Sequence, residues 1–555
     1  MNLATRLKRI APIEWLLIAI QIAFVLATRL GQPAIDVDDA YTHFHIAQNW
    51  SEGHGFVFND GVRLLGTTSP VYVTALAGLH RVVGGPLPLL ARNMNMVADI
   101  VIVLIAIAWF ARAGMPLLMR HAAGLILTAE PLRMHYSLAG MEMSFFIVFM
   151  MILFAFALGG RWIVAGAMVG LVGWVRPEGA IVWLAVAGGL WVGGRRREIP
   201  RLYAVAIAVA SATAGVMLAY FGTFIPQSVV AKGSADWYTQ AGFSAPMFLI
   251  RLGDLTPFYV FHGTVSSWGT IGDKINSLII ALAQLSLMAA GAAWIWQRGR
   301  RQLSVMLAVF VAGWFMFYAL TNPMIIDWYY VPYFFGSLLL ATAGWQAVGE
   351  AVYRRFRASL VAWRRLAYPA ALACLLAAYW FSLSQQIDRA GRSCDTMSER
   401  LAFRFRKAGA SDREVEYVKI ADMIRGWNNG PAPLVVGCTE IGIFGYYYRG
   451  PLLDFFGLIS PEVLDVLKPE VRDKLPAGCR VFPYAAIMHF KPDLVMTHPM
   501  FIPPEPAEFT ALYQRLHVDY LVGVWVRRDM IPRLPLTPKM LREDHFGPTM
   551  HKDVL

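Results

Sequence analysis

The chain has 555 residues, 57% of them hydrophobic and only 15% charged, and its mean hydropathy is +0.49. Ordinary globular domains carry about 25% charged residues, and a soluble protein this apolar could not cover its own surface, so most of the chain has lipid as its solvent. Disorder, a collagen-like repeat and a disulfide scaffold are excluded. The net charge of +12 does not indicate a nucleic-acid partner, because the arginines fall in short clusters between apolar runs, as membrane orientation requires.

A segment free of charge for about 15–22 residues can cross the hydrocarbon core as a helix. In chain order these are Trp15 to Thr28, Ile100 to Ala111 (extended back through Asp99 to Arg92), Met143 to Gly160, Trp162 to Val175 and Ala180 to Gly194. Leu202 to Phe224, Ile275 to Gln297, Gln302 to Leu320, Trp328 to Gly349 and Leu366 to Ile387 follow, and a weaker segment between Met115 and Arg133 makes eleven. Eleven spans place all six Lys/Arg clusters, from Arg6/Lys8/Arg9 to Arg354/Arg355/Arg357/Arg364/Arg365, on one face, the cytoplasmic one. The expectation is a polytopic α-helical protein of the cytoplasmic (inner) membrane, with its N-terminus inside and an extracytoplasmic C-terminal region. The first apolar run reads as a retained helix, since Thr28-Arg29-Leu30 is a poor signal-cleavage site.

Residues 1–384 form the expected membrane module, with outer loops at 31–90 and 225–274, and residues 385–555 an extracytoplasmic α/β domain. In that tail Leu434 to Val436, Leu452 to Phe456, Leu494 to Thr497 and Tyr520 to Val526 read as strands, alternating with helical patterns at Glu440 to Tyr447, Pro461 to Leu467 and Glu508 to His517. Such alternation implies a mostly parallel sheet. Of the four cysteines, Cys374 lies in the last span, while one disulfide among Cys394, Cys438 and Cys479 is expected without a choice of pair. No Cys/His cluster has zinc spacing.

Directly beyond the first span stands Asp36-Val37-Asp38-Asp39-Ala40-Tyr41. Clustered carboxylates repel one another, which raises some of their pKa values. At a membrane mouth such a group serves as a general base or holds a divalent ion. The structural alternative is that Asp38 caps the helix from Asp39 to Trp50, with Asp39 favoured by the macrodipole.

The stretch from Asp38 to Pro70 resembles the first outer loop of GT-C-type glycosyltransferases that use lipid-linked sugars. The likeness is nearest to the terminal arabinofuranosyltransferase branch. Colinear matches follow at Gly140-Met141-Glu142, Val175-Arg176-Pro177-Glu178-Gly179, Ile225 to Lys232 and Phe456-Gly457-Leu458-Ile459-Ser460-Pro461. The resemblance implies a polyprenyl-phosphate sugar donor entering from the bilayer and an extracytoplasmic glycan or lipid acceptor. Asp38 or Asp39 would be the base for an inverting transfer, with Asp38 favoured. It also implies that a divalent cation (Mg, Mn or Ca) with Asp39 as a ligand, or the basic residues Lys232 and Arg176, neutralises the leaving phosphate. Glu178, His54, Trp328 and Tyr329 complete the expected substrate contacts.

Each has a structural counterpart. Lys232 can snorkel at the interface, Arg176 and Glu178 can simply pair, and His54 reads as a loop histidine. Glu142 reads as a helix N-terminal charge, Asp99 must face the bundle interior, where it would orient Arg92 or bind substrate, and Trp237, Tyr238, Trp328, Tyr329 and Tyr330 also suit an interfacial belt. The turn Asn322 to Pro332, with its Trp328-Tyr329-Tyr330 run, looks more like hexose- or mannose-transferring relatives and leaves the sugar open. The competing class is a flippase for lipid-linked sugars. Against it, the acids sit at one mouth and the chain shows no repeated halves.

Overall fold

The computed structural model describes residues 12–31, 35–234, 271–321, 327–355, 412–428, 433–497, 504–518 and 522–541. The described helices before the C-terminal region are α1 (Pro12–Leu30), α2 (Asp38–Glu52), α3 (Pro70–Val83), α4 (Leu87–Arg112), α5 (Leu117–Thr128), α6 (Pro131–Leu138) and α7 (Met143–Leu158). There follow α8 (Trp162–Val175), α9 (Ala180–Val192), α10 (Ile199–Phe221), α11 (Gln227–Ser234), α12 (Ile271–Gln297), α13 (Arg301–Thr321) and α14 (Tyr330–Arg355). Ten of the eleven segments read as spans are thus helical. The last, Leu366 to Ile387, lies outside the described residues, as do Cys374, Cys394, Trp237 and Tyr238.

Eleven spans are not what these helices show. Four are long and apolar enough to cross a membrane by length and composition: Pro12–Leu30, Leu87–Arg112, Arg196–Phe221 and Arg301–Tyr318. A fifth would be the pair Leu132–Leu138 and Met143–Leu158, which meet at 109°. Leu117–Thr128, Trp162–Val175 and Pro177–Val192 are apolar but shorter than the ~20 residues a straight span requires. The difference is physical: absence of charge marks a buried or lipid-facing helix, but turns and kinks set its length.

Close backbone approach holds the bundle together. A Cβ on Gly166 or Gly170 would collide with the Leu202 and Ala206 carbonyls, so the four-residue glycine spacing on α8 seats α10 directly against it. Gly291 and Gly344 do the same for α12 and α14. One charged cluster is sealed inside. Asp99 on α4 accepts hydrogen bonds from Arg29 Nε (2.9 Å), Ser137 Oγ (2.9 Å), Ser144 Oγ (2.9 Å) and the Arg133 guanidinium. Arg92 donates to the Arg29 carbonyl. Asp99 therefore ties α1, α4, α6 and α7 together, and a charge in an apolar bundle persists because it is paired.

The C-terminal region packs α15 (Asp412–Trp427), α16 (Gly442–Tyr448) and shorter helices on a five-stranded sheet. Its strands are β1 (Val436–Cys438), β2 (Leu452–Asp454), β3 (Leu494–Thr497), β4 (Tyr513–Arg515) and β5 (Gly523–Arg527), ordered β2-β1-β3-β5-β4. β1 pairs in parallel with β2 and β3, whereas β5 is antiparallel to both β3 and β4, so the sheet is mixed rather than mostly parallel. The helix expected over Glu508 to His517 stops at Leu512, and Tyr513 to Arg515 become an edge strand. Alternation along the strands gives two faces. Val436, Cys438, Leu494, Met496, Val524 and Val526 join the large core shared with the helical bundle, while Leu453, Val495, Tyr513 and Trp525 pack with Cys479 in a separate cluster. Cys438 and Cys479 are both buried and free, on opposite faces of the sheet, so a disulfide between them is not formed.

Candidate active site

The site is a cavity of about 540 Å³ where α2, the loop before α3, the starts of α7 and α9, α11, the end of α13 and two C-terminal loops converge. Its charged lining is Asp39, Glu142, Arg176, Glu178 and Lys232, with His43 among them.

The acidic pair is split. α2 begins at Asp38 with Val37 at the cap position and no side-chain cap, so Asp38 does not cap its own helix. Its carboxylate instead accepts hydrogen bonds from the amides of Gly442 (3.0 Å) and Ile443 (2.8 Å), at the start of α16. Burial first, then repulsion from Glu440, pushes the Asp38 carboxyl up to about 8, against the two amide bonds. Asp36 accepts from the Tyr41 hydroxyl at 2.6 Å. Asp39 lines the cavity and is exposed within it, although protein surrounds the cleft. That enclosure raises its pKa above the ordinary aspartate value; Lys232 and His43 oppose the rise, and Glu142 adds to it. Asp38 is engaged with the C-terminal region, and Asp39 is the acid open to a substrate.

Asp39 and His43 are four residues apart, hence on one face of α2. His43 is buried, and its Nδ1 lies 3.8 Å from Glu142 Oε2; neither atom has a hydrogen-bond partner among the described residues. Burial holds the imidazole pKa below its usual value despite the carboxylates of Glu142 and Asp39, so the ring is neutral near pH 7. The spacing to Asp39 is the sequence signal that links His43 to the site, rather than its separation from His45, which meets the Phe58 carbonyl at 3.0 Å.

The tight turn after α8 delivers Arg176 and Glu178, which pair at 2.6 Å. Arg176 also bonds Glu142, the residue at the cap position of α7. The Arg176 charge is thus compensated twice. Lys232, carried by α11, bonds the Tyr329 hydroxyl at 2.7 Å. Burial pulls its pKa down, but Tyr329 and Asp39 outweigh this and the net shift is upward. The Tyr329 ring meets two cations, with Lys232 Nζ 5.4 Å and Arg176 Cζ 5.6 Å from its centroid. Trp328 lines the cavity beside it.

Tyr318 carries no sequence motif. Its ring packs tilted against Tyr329, with centroids 4.9 Å apart, and its hydroxyl donates to Glu178. Its spacing of four from Trp314 on α13 is the only sequence hint. Ser228, at the start of α11, also lines the cavity, and its buried hydroxyl has no hydrogen-bond partner among the described residues. His54 lies outside the cavity, with Nδ1 3.3 Å from Asp60 in an exposed loop. Among the described residues, no set of three His, Cys, Asp or Glu side chains is arranged to hold a metal ion.

The C-terminal region contributes Ile441 and Leu458 to the cavity wall. Asp454 cradles the Phe456–Ile459 turn by accepting from the amides of Phe456 (2.9 Å), Leu458 and Ile459 (3.1 Å), and Gln227 Nε2 donates to the Gly457 carbonyl at 3.0 Å. The Phe456-to-Pro461 motif is therefore a docking turn that places Leu458.

Residues 406–534 match a domain of unknown function (DUF8728). No curated protein matches the chain. Among solved structures, ArnT from Cupriavidus metallidurans bound to undecaprenyl phosphate aligns at a TM-score of 0.53 with 14% identity, over 93% of this chain and 98% of that one. The Archaeoglobus fulgidus oligosaccharyltransferase, tethered to an acceptor peptide containing the NVT sequon, aligns at 0.51 with 12% identity, over 87% and 69%. The finer likeness to arabinofuranosyltransferases rests on the motifs alone. The fold is similar to those of ArnT and of the archaeal oligosaccharyltransferase.

Proposed function

We propose that this protein is an inverting membrane glycosyltransferase that moves a sugar from a polyprenyl-phosphate donor to a hydroxyl of an extracytoplasmic glycan or lipid. The reading includes a cytoplasmic-membrane location with the cavity and C-terminal region on the outer side, following the basic clusters. The observation that carries it is the pairing, in one cavity, of an open carboxylate at Asp39 with the ammonium of Lys232.

The chemistry needs both charges. A hydroxyl is a poor nucleophile near neutral pH, so Asp39 takes the acceptor proton as the new O–C1 bond forms on the face opposite the donor phosphate. The C1–O–phosphate bond breaks, and its electron pair leaves with the polyprenyl phosphate. Lys232 stabilises the growing negative charge there, with the Ser228 hydroxyl as a second donor at the start of α11. Arg176, already neutralised by Glu142 and Glu178, holds the cavity floor and orients both acids. His43 stays neutral beside the carboxylates of Asp39 and Glu142. Trp328 and Tyr329 offer aromatic faces to the sugar. The sugar is an arabinofuranosyl residue by the loop motifs, or a hexosyl or mannosyl residue by the Trp328-Tyr329-Tyr330 turn.

Purified protein in detergent, given a panel of labelled polyprenyl-phosphate sugars and a hydroxyl acceptor, should form glycoside and release polyprenyl phosphate without any gradient. Failure with every donor in the panel, alongside donor translocation in vesicles, would establish a flippase instead.

A further inference from the structure

We infer that the C-terminal region is the positioning module of the cavity, acting through two clamps that set Asp39 and Lys232: Asp38 on the start of α16, and Gln227 on the Gly457 carbonyl. This rests on reading Asp39 and Lys232 as the reacting pair.

Each clamp lies next to the group it aims. Asp38 is one peptide bond from Asp39, and both of its carboxylate oxygens are committed to amides more than 400 positions away, at Gly442 and Ile443. α2 has no side-chain cap of its own, so α16 holds its first turn. The fit leaves no slack: a Cβ on Gly442 would collide with the Asp38 carbonyl. Ile441, immediately before that contact, lines the cavity, so one docking point places a wall residue and the acid facing it.

The second clamp works on the cation. Gln227 opens α11, and Lys232 follows on the same short helix. Its side-chain amide donates to Gly457 O, while its backbone amide donates to Leu65 O at 2.9 Å. The Gly457 carbonyl is presented by the turn that Asp454 organises, and Ile459 of that turn sits 3.3 Å from where a Gly66 Cβ would lie. Away from the cavity, Asn59 and Leu452 exchange two hydrogen bonds (2.9 and 3.0 Å), and Tyr41 meets the rings of Tyr446 and Tyr447 at 5.3 and 6.0 Å. These contacts bind the C-terminal region to the segments that carry the charges, so a shift of that region moves both groups.

The test uses the full chain in detergent, with kcat from label transfer and affinity for polyprenyl phosphate measured separately by calorimetry. Gly442→Ala removes no carboxylate and touches no cavity-lining side chain. We expect Gly442→Ala and Asp38→Ala each to lower kcat by about 10- to 100-fold while the Kd for polyprenyl phosphate stays within about threefold, since a misplacement near 1 Å costs that much in rate. Asp38→Asn keeps one good acceptor oxygen and should fall between Asp38→Ala and the parent. Gln227→Leu should instead weaken polyprenyl-phosphate binding, because it frees the helix that carries Lys232.

Melting temperature and gel filtration report folding for every variant, and if Gly442→Ala does not fold, Asp38→Asn carries the comparison. Parental kcat in folded Asp38→Ala overturns the inference. A rate loss that merely follows the fraction of unfolded protein overturns it too. Asp39→Asn separates the two claims: if it loses activity while Asp38→Ala does not, only the clamp fails, and if it keeps activity, the proposed reaction fails.

Discussion

Asp99→Asn isolates the structural charge cluster from the chemistry. Asp99 is fully buried and meets two guanidiniums and two hydroxyls, with Arg29 Nη2 at 2.7 Å and both serines at 2.9 Å. Asparagine keeps the size but loses the charge, and its NH2 would point at a donor, since every partner of Asp99 is one. Removing one member of a buried ion cluster costs about 3–5 kcal/mol, because the remaining charges stay desolvated and unpaired. Arg29 and Arg133 would both lose their bonded carboxylate and keep only the attraction of Glu130, so a loss within that range of about 3–5 kcal/mol is expected. The assay is thermal denaturation in detergent, followed by gel filtration and intrinsic fluorescence, beside label transfer per folded molecule. Asp99→Asn should melt far below the parent yet turn over at the parental rate while folded, since Asp99 does not line the cavity. Adding Arg133→Gln should recover part of the loss, because it removes a stranded cation. A variant that melts like the parent but has lost transfer would refute this reasoning and make Asp99 a functional residue.

The acid limb of the rate–pH profile should lie above the ordinary aspartate range, because enclosure raises the Asp39 pKa. Lys232→Met removes a charge that lowers it and should move the limb to higher pH, whereas Glu142→Gln removes one that raises it and should move the limb down. Asp38 has a folded value raised from 3.8 to about 8. The stability it contributes is therefore fully present below its unfolded value and lost as pH rises through about 8, so melting temperature should fall across that range in the parent and less in Asp38→Asn. Lys232→Met should also weaken polyprenyl-phosphate binding by about 10- to 100-fold, the worth of a charged hydrogen bond, and Tyr329→Phe by about tenfold at most. For sidedness, Glu505→Cys, in an exposed stretch of the C-terminal region, should react with an impermeant thiol reagent in intact spheroplasts. Labelling only after rupture would invert the proposed orientation.

Helices were legible from sequence because absence of charge over a dozen residues has one cause, burial away from water. Their lengths were not, since the 109° bend between Leu132–Leu138 and Met143–Leu158 follows from the turn at Gly140, which packs on Phe44 far away in sequence. In the C-terminal region Leu494 to Thr497 was recognisable as a buried strand. Tyr513 was not, because its extended backbone pairs with Arg527 on β5, a partner that lies further along the chain. Asp39, Lys232, Arg176, Glu178, Trp328 and Tyr329 line one cavity, while His54 stays outside. The motif favours Asp38 as the base, and no local signal shows that its carboxylate is engaged elsewhere. The distinction is made by two amides at Gly442 and Ile443, and only the fold brings them there.

Asp39→Asn is the most direct measurement of the central claim. Asparagine preserves the size of the side chain and its place on α2, but it cannot take the acceptor's proton. In folded protein that still binds polyprenyl phosphate like the parent, sugar transfer should fall by about 10²–10⁴-fold, the usual cost of losing a general base. Turnover within a fewfold of the parent would contradict the account and remove Asp39 from the chemistry.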